Sequence, residues 1–203
     1  MLLSATATFV APASAASPVA AEKPRILTYQ CQGQTPLGPV NGFAYQDIAR
    51  AIAPASVNAN QSFSIVIEPA RNSIPLHIDH RRVYSVRNIE LKVPLPTNST
   101  YLSHRLRDGY QTGPVKVSVS GGYLVFRVPG PIRAGIPFKL PTLILNVQAG
   151  PAANGPVKTT LDGSPGTSLL TFDARVGGRI TTANVPTSCY PNPNQVLTST
   201  VVR

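Results

Sequence analysis

The chain has 203 residues, with 18 Lys and Arg against 8 Asp and Glu for a formal net charge of +10, and it carries 21 Pro, 15 Gly, 2 Cys and no Trp. Charged residues make up 13%, about half the share usual in a soluble domain, and Pro runs near twice its average use of roughly 5%. That excludes a charge-rich disordered chain and, because Pro breaks helices, a coiled coil or helical bundle.

Residues 1–21 carry no charge and consist of small and apolar side chains. They read as the later part of a secretory signal peptide or as a flexible N-terminal tail. Ala13-Ser14-Ala15 and Val19-Ala20-Ala21 are the two candidate cleavage sites. The first basic residue is Lys23, so the positive segment that normally opens such a signal is expected upstream of Met1. Beyond this stretch no apolar run approaches the roughly 20 residues that cross a bilayer, and the expectation is a soluble, exported protein.

Residues 24–203 are expected to form one ordered β-sandwich domain. Short runs of β-branched and aromatic residues alternate with polar ones and are punctuated by Gly and Pro. In 26–32, Leu27, Tyr29 and Cys31 share a strand face, and in 61–68 Phe63, Ile65 and Ile67 do the same. The segment 45–52 is assigned to a strand, although its spacing also allows a helix. Segments 87–95 and 115–120 repeat the alternation. Gly121-Gly122 then supplies the positive φ of a two-residue hairpin turn into 123–128. Segment 136–147 contains Pro137 and Pro141, which cannot donate ladder hydrogen bonds, so it is expected as an edge strand or a bend between sheets. A second hairpin is expected where 169–176 turns through Gly177-Gly178 into 179–185.

The pattern as a whole predicts an all-β, antiparallel, immunoglobulin-like sandwich with Greek-key connections. A loose echo between 53–68 and 131–147 leaves open two tightly packed immunoglobulin-like halves divided near 108–114. Cys31 and Cys189 form an even pair outside any metal-ligand spacing, and a disulfide is their simplest reading, two buried thiols being the alternative. Such a bond would join the first strand to the last, worth about 4–5 kcal/mol in the chain-entropy account.

Several segments together resemble a family of secreted actinobacterial β-sandwich proteins: TYQCQG near the start, APASVNANQSFSIVIEPA, VSGGYLVFRVPGPIRAGIPFKLPTLILNVQAG, and NVPTSCYPNPNQVLTST near the end. The resemblance covers nearly the whole chain after residue 21. It implies an immunoglobulin-like fold, pairing of the two cysteines and export to the cell envelope, and it implies no activity. The stretch 71–108 departs from it in being more basic and richer in His.

Arg71, Arg81, Arg82, Arg87, Lys92, Arg105 and Arg107 are seven of the 18 basic residues and fall within that stretch. Guanidinium groups suit two-point recognition of phosphate, sulfate or carboxylate. The arginines are therefore candidate anion-binding residues, with an anionic cell-wall polymer, lipid headgroup or host polyanion as partner; the alternative is that they only keep the domain soluble and blunt its edge strands. No motif for specific nucleic-acid recognition is present. His77, His80 and His104 are weak metal-ligand candidates, with Asp79 or Asp108 as oxygen donors, but the neighbouring arginines would repel a divalent cation and no metal or other cofactor is expected. Neither a nucleophile elbow nor a phosphate loop occurs, so no catalytic residue is assigned. A hydrolase would have to be assembled by the fold, Glu68 and Glu90 being the least implausible carboxylates. The favoured function is a non-enzymatic binding or structural protein of the cell envelope, the alternative an extracellular hydrolase.

Overall fold

The structure, a computed structural model, describes residues 19–21, 23–35, 38–78, 80–177 and 181–203, with backbone only at 19–21 and 38–41. The N-terminal segment 1–18, the candidate ligand Asp79 and the turn 178–180 lie outside the described residues.

The first nine strands are β1 (Val19–Ala21), β2 (Arg25–Thr35), β3 (Gly38–Pro54), β4 (Ser56–Val57), β5 (Ser62–Pro69), β6 (Asn72–Ser73), β7 (His77–Ile78), β8 (Arg81–Pro94) and β9 (Ser99–Arg107). The chain continues through β10 (Lys116–Ser120), β11 (Tyr123–Val128), β12 (Ile132–Arg133), β13 (Pro137–Phe138) and β14 (Thr142–Ala149). It ends in β15 (Val157–Leu161), β16 (Leu170–Gly177), β17 (Thr182–Pro191) and β18 (Gln195–Val202). One short 3-10 turn at Ala152–Asn154 is the helical element among the described residues. The fold is therefore all-β, as the two-residue periodicity implies.

A 13-stranded sheet runs in the order β10-β11-β8-β16-β17-β2-β3-β5-β14-β9, with β1 added to β3 and both β7 and β12 added to β8. Its pairings are antiparallel. A three-stranded piece, β15-β18-β4, and the two-strand ribbon β13-β6 complete the structure. Strands from before and after residues 108–114 alternate along the large sheet: β8 lies between β11 and β16, and β14 lies between β5 and β9. One apolar cluster contains residues from Leu27 to Val202. Ile65, Leu124, Leu145 and Val147 are wholly buried in it, each contributing about 1.5–3 kcal/mol through removal from water.

The hairpin at Gly121-Gly122 forms as its sequence dictates. Ser120 pairs with Tyr123, leaving the two glycines as the loop, with φ of 57° and 81°. Strands β16 and β17 pair from Gly177 opposite Thr182 onward, and segment 45–52 is part of β3. Segment 136–147 divides at its prolines. Pro137–Phe138 is a short ribbon strand, whereas β14 begins after Pro141 and is interior, paired with β5 on one side and β9 on the other. The edge-strand expectation for that segment does not hold beyond Pro141, because both prolines precede the part that needs all its N–H donors.

Strand β8 positions the candidate site and departs from simple alternation. Its register against β16 shifts twice, so that Tyr84 and Asn88 are extra residues on the β8 side. Asn88 has a φ of 52°, and its N–H donates to the carbonyl of Pro129 at 3.0 Å. Each bulge moves the inward face by one residue. The buried positions consequently run Val83, Val86, Ile89 and Val93, with Leu91 also packed against the core, while Arg82, Tyr84 and Arg87 are exposed.

Candidate functional site

The basic residues of 71–107 are distributed over separate parts of the sheet. Arg81, Arg82 and Arg87 lie on β8, third along the path, and Arg105 and Arg107 lie on β9 at its far end. Arg71 follows β5 and is exposed, its guanidinium 5.0 Å from the centre of the Tyr110 ring. Arg107 sits 3.3 Å from Asp108. The six candidates therefore do not occupy adjoining strands.

Register creates a different cluster around β8. Ser85 is paired with Arg133 of β12 on one side and with Arg175 of β16 on the other. Directly paired residues of an antiparallel ladder share a face, so these two exposed arginines flank Ser85 on the outer surface. Arg87 lies two residues further along, opposite Asp173 and 3.9 Å from its carboxylate, which also accepts a 2.7 Å bond from the Asn88 amide. At the start of β8, Arg82 stacks 5.2 Å above the half-exposed Tyr84 ring. Among the described residues neither Arg133 nor Arg175 lies within ion-pair distance of an acid. The result is a strip of Arg82, Arg87, Arg133 and Arg175 carrying one carboxylate, suited chemically to an extended polyanion.

Arg133 and Arg175 were not singled out by sequence, since each stands alone in a strand and only pairing with β8 brings them together. Their one legible signal was outward placement on the pleat, Arg175 beside Ala174 and Arg133 beside Ile132.

The other candidate constellations remain apart or are occupied. Among the described residues no three His, Cys, Asp or Glu side chains gather in metal-binding geometry. His104 is engaged through Nδ1 with the Tyr101 hydroxyl at 2.7 Å. Glu68 is bonded to Arg50 and lies 3.5 Å from Lys139. Those contacts, the Arg50 bond first, hold its carboxyl below the usual range. Glu90 is bracketed by Arg127 at 3.1 Å and Lys92 at 3.6 Å. The Cys31–Cys189 disulfide is present, its two halves directly opposed on β2 and β17.

The chain matches no protein-family model, and no curated protein matches it. A solved structure from Corynebacterium diphtheriae, provisionally described as a membrane-anchored protein, is similar with a TM-score of 0.49 and 19% identity. The likeness covers 89% of this chain and 38% of that one. This chain thus spans well under half the length of that protein. No helix among the described residues is long and apolar enough to cross a membrane.

Proposed function

We propose that residues 24–203 are an exported, non-enzymatic module of the cell envelope that holds anionic polymers or lipid headgroups on the basic strip of β8. The observation that carries this reading is the register that sets Arg133 and Arg175 on either side of Ser85, beside Arg87. Folding gathers these guanidinium groups from three strands against one neighbouring acid, and an array of that kind binds phosphate or carboxylate better than scattered charges. The disulfide supports an oxidising compartment. Arg105 and Arg107 on β9, with Arg71, add to long-range attraction in a molecule of net charge +10.

Co-sedimentation of the oxidised protein with phosphatidylglycerol vesicles, phosphatidylcholine vesicles and isolated cell-wall polysaccharide, across a salt series, tests the proposal. Saturable binding to an anionic target at physiological salt is expected. It should weaken by roughly tenfold or more in Arg87→Ser/Arg133→Ser/Arg175→Ser, given about 1.5–3 kcal/mol for a hydrogen bond to a charged group. Arg105→Ser/Arg107→Ser should have the smaller effect. Absence of binding, or equal binding by the triple variant, overturns the assignment.

A further inference from the structure

A partly enclosed cavity of about 70 Å³ lies among β2, β3, β8, β16 and the segment that carries the β6–β13 ribbon. Its walls are mainly apolar, with Val86, Ile89, Leu170, Phe43, Phe138 and Phe172 among them. The polar exceptions are Tyr29, Tyr45 and Asp47, and none of the lining residues is cationic. These three share the inward faces of two neighbouring strands. Tyr29 is opposite Tyr45, with ring centres 6.4 Å apart, and Asp47 is opposite Leu27, diagonal to Tyr29. Alternation would have placed another apolar residue at position 47, since Ala49, Ala51 and Ala53 continue the same face and are buried.

The polar groups are incompletely satisfied. Asp47 Oδ1 accepts from the Ile48 N–H at 2.8 Å and from the Asn72 amide at 3.1 Å. The same amide donates to the Tyr45 hydroxyl at 2.9 Å, which fastens the β6–β13 ribbon to β3. Among the described residues, no hydrogen bond reaches Asp47 Oδ2 or the hydroxyl of Tyr29, although Tyr29 is only 4% exposed. Both atoms keep some accessible surface, the fully buried side-chain oxygen without a partner among the described residues being Thr142 Oγ1, and a carboxylate on a mainly apolar cavity without a counter-charge is costly.

We propose that this cavity is a binding site for a small ligand with a primary ammonium head and a short apolar body. The head supplies three donors, enough for Asp47 Oδ2 and the Tyr29 oxygen, together with the charge that the carboxylate lacks. The neighbouring aromatic rings favour a cation further. The volume is about half the roughly 150 Å³ of an apolar cavity that admits benzene, so the body extends to only a few carbons.

Isothermal titration of the full, oxidised chain with n-butylammonium, n-butanol and butyrate reads the head-group preference directly. Butylammonium should bind about tenfold more tightly than butanol, the scale of one charge-assisted bond, with butyrate weakest. Asp47→Asn keeps both bonds to its side-chain oxygen and should reduce the preference for the amine over the alcohol to about twofold or less. Tyr29→Phe should weaken the amine severalfold while leaving butanol less affected. No binding of butylammonium, equal binding of butanol, or a folded Asp47→Asn that keeps the amine preference would each overturn the proposal. Should Asp47→Asn not fold, Tyr29→Phe decides: a selective loss of amine affinity supports the site, and unchanged affinity rejects it. Because the cavity and the β8 strip share none of the tested residues, loss of polyanion binding and loss of amine binding are separable results.

Discussion

Asn98 occupies the left-handed region, with φ of 47°, a conformation that Asn tolerates far better than most residues. Its side-chain amide spans the loop after β14, donating to the carbonyls of Pro151 and Gly155, while its own carbonyl accepts the Gly150 N–H at 2.9 Å. Asn98→Ala should cost about 2–3 kcal/mol by losing both amide bonds and straining the backbone, and Asn98→Gly should cost less because only the bonds are lost. Urea unfolding of the pair checks this. Asp47 and Glu68 predict opposite pH dependences. Burial, partly offset by the Ile48 N–H and the Asn72 amide, raises the Asp47 carboxyl above its ordinary range, so folding favours its protonated form. That contribution is whole below the ordinary Asp range and is lost as pH rises through the raised value. Asp47→Asn should match the parent protein in acid and gain on it toward pH 8. Glu68 is held low, so its contribution is present above the ordinary Glu range and disappears as pH falls. Glu68→Gln should accordingly be the weaker protein at neutral pH and converge with the parent in acid. Urea midpoints at several pH values distinguish the two trends, and parallel profiles for both variants would contradict the assignment.

Two glycines separate local backbone demands from packing at the level of the strand. A Cβ built on Gly121 meets nothing within 4 Å, so Gly121→Ala loses only its left-handed backbone preference, about 1 kcal/mol. A Cβ on Gly130, at φ of 73°, would lie 2.9 Å from the Val86 carbonyl and 3.1 Å from the Arg87 Cα, both backbone atoms of β8. Gly130→Ala should therefore cost about 3 kcal/mol, adding displacement of packed backbone to the same strain, and chemical denaturation of the two variants should rank them in that order. The Gly121-Gly122 turn was legible because its cause is local: two adjacent residues meet the φ requirement. The role of Gly130 was not, because it depends on β8 approaching from elsewhere in the chain. The same holds for β8 itself. Its two bulges are answered by β16, and without them strict alternation would have given a different inward face.

Across the whole molecule, the all-β class and the cysteine pairing could be read from periodicity and composition, whereas the candidate site could not. Proximity in sequence suggested one basic segment from Arg71 to Arg107. Strands β8 and β9, although consecutive, lie far apart along the sheet, and the cluster on β8 is completed by arginines from much later in the chain. The inward carboxyl of Asp47 was not singled out in the sequence, because segment 45–52 also allowed a helix and the significance of the residue required the cavity around it. The disulfide belongs to this same scale, because Cys31 and Cys189 are 158 residues apart in sequence yet directly opposed on β2 and β17. In the native state the β2–β17 ladder already holds the two strands from Thr187 opposite Gly33 to Pro191 opposite Tyr29. The bond therefore acts chiefly on the unfolded chain, where closing so long a loop removes entropy worth about 5 kcal/mol. Cys31→Ala/Cys189→Ala should lower unfolding free energy by about that amount, with an added cost for the two buried sulfur positions. The strand register and the affinity of the β8 strip for anionic vesicles should be unchanged wherever the variant remains folded. Denaturant titration beside vesicle binding measures both quantities, and a stability loss below about 1 kcal/mol would show that the unfolded chain gains little freedom from the cut, against the entropic account.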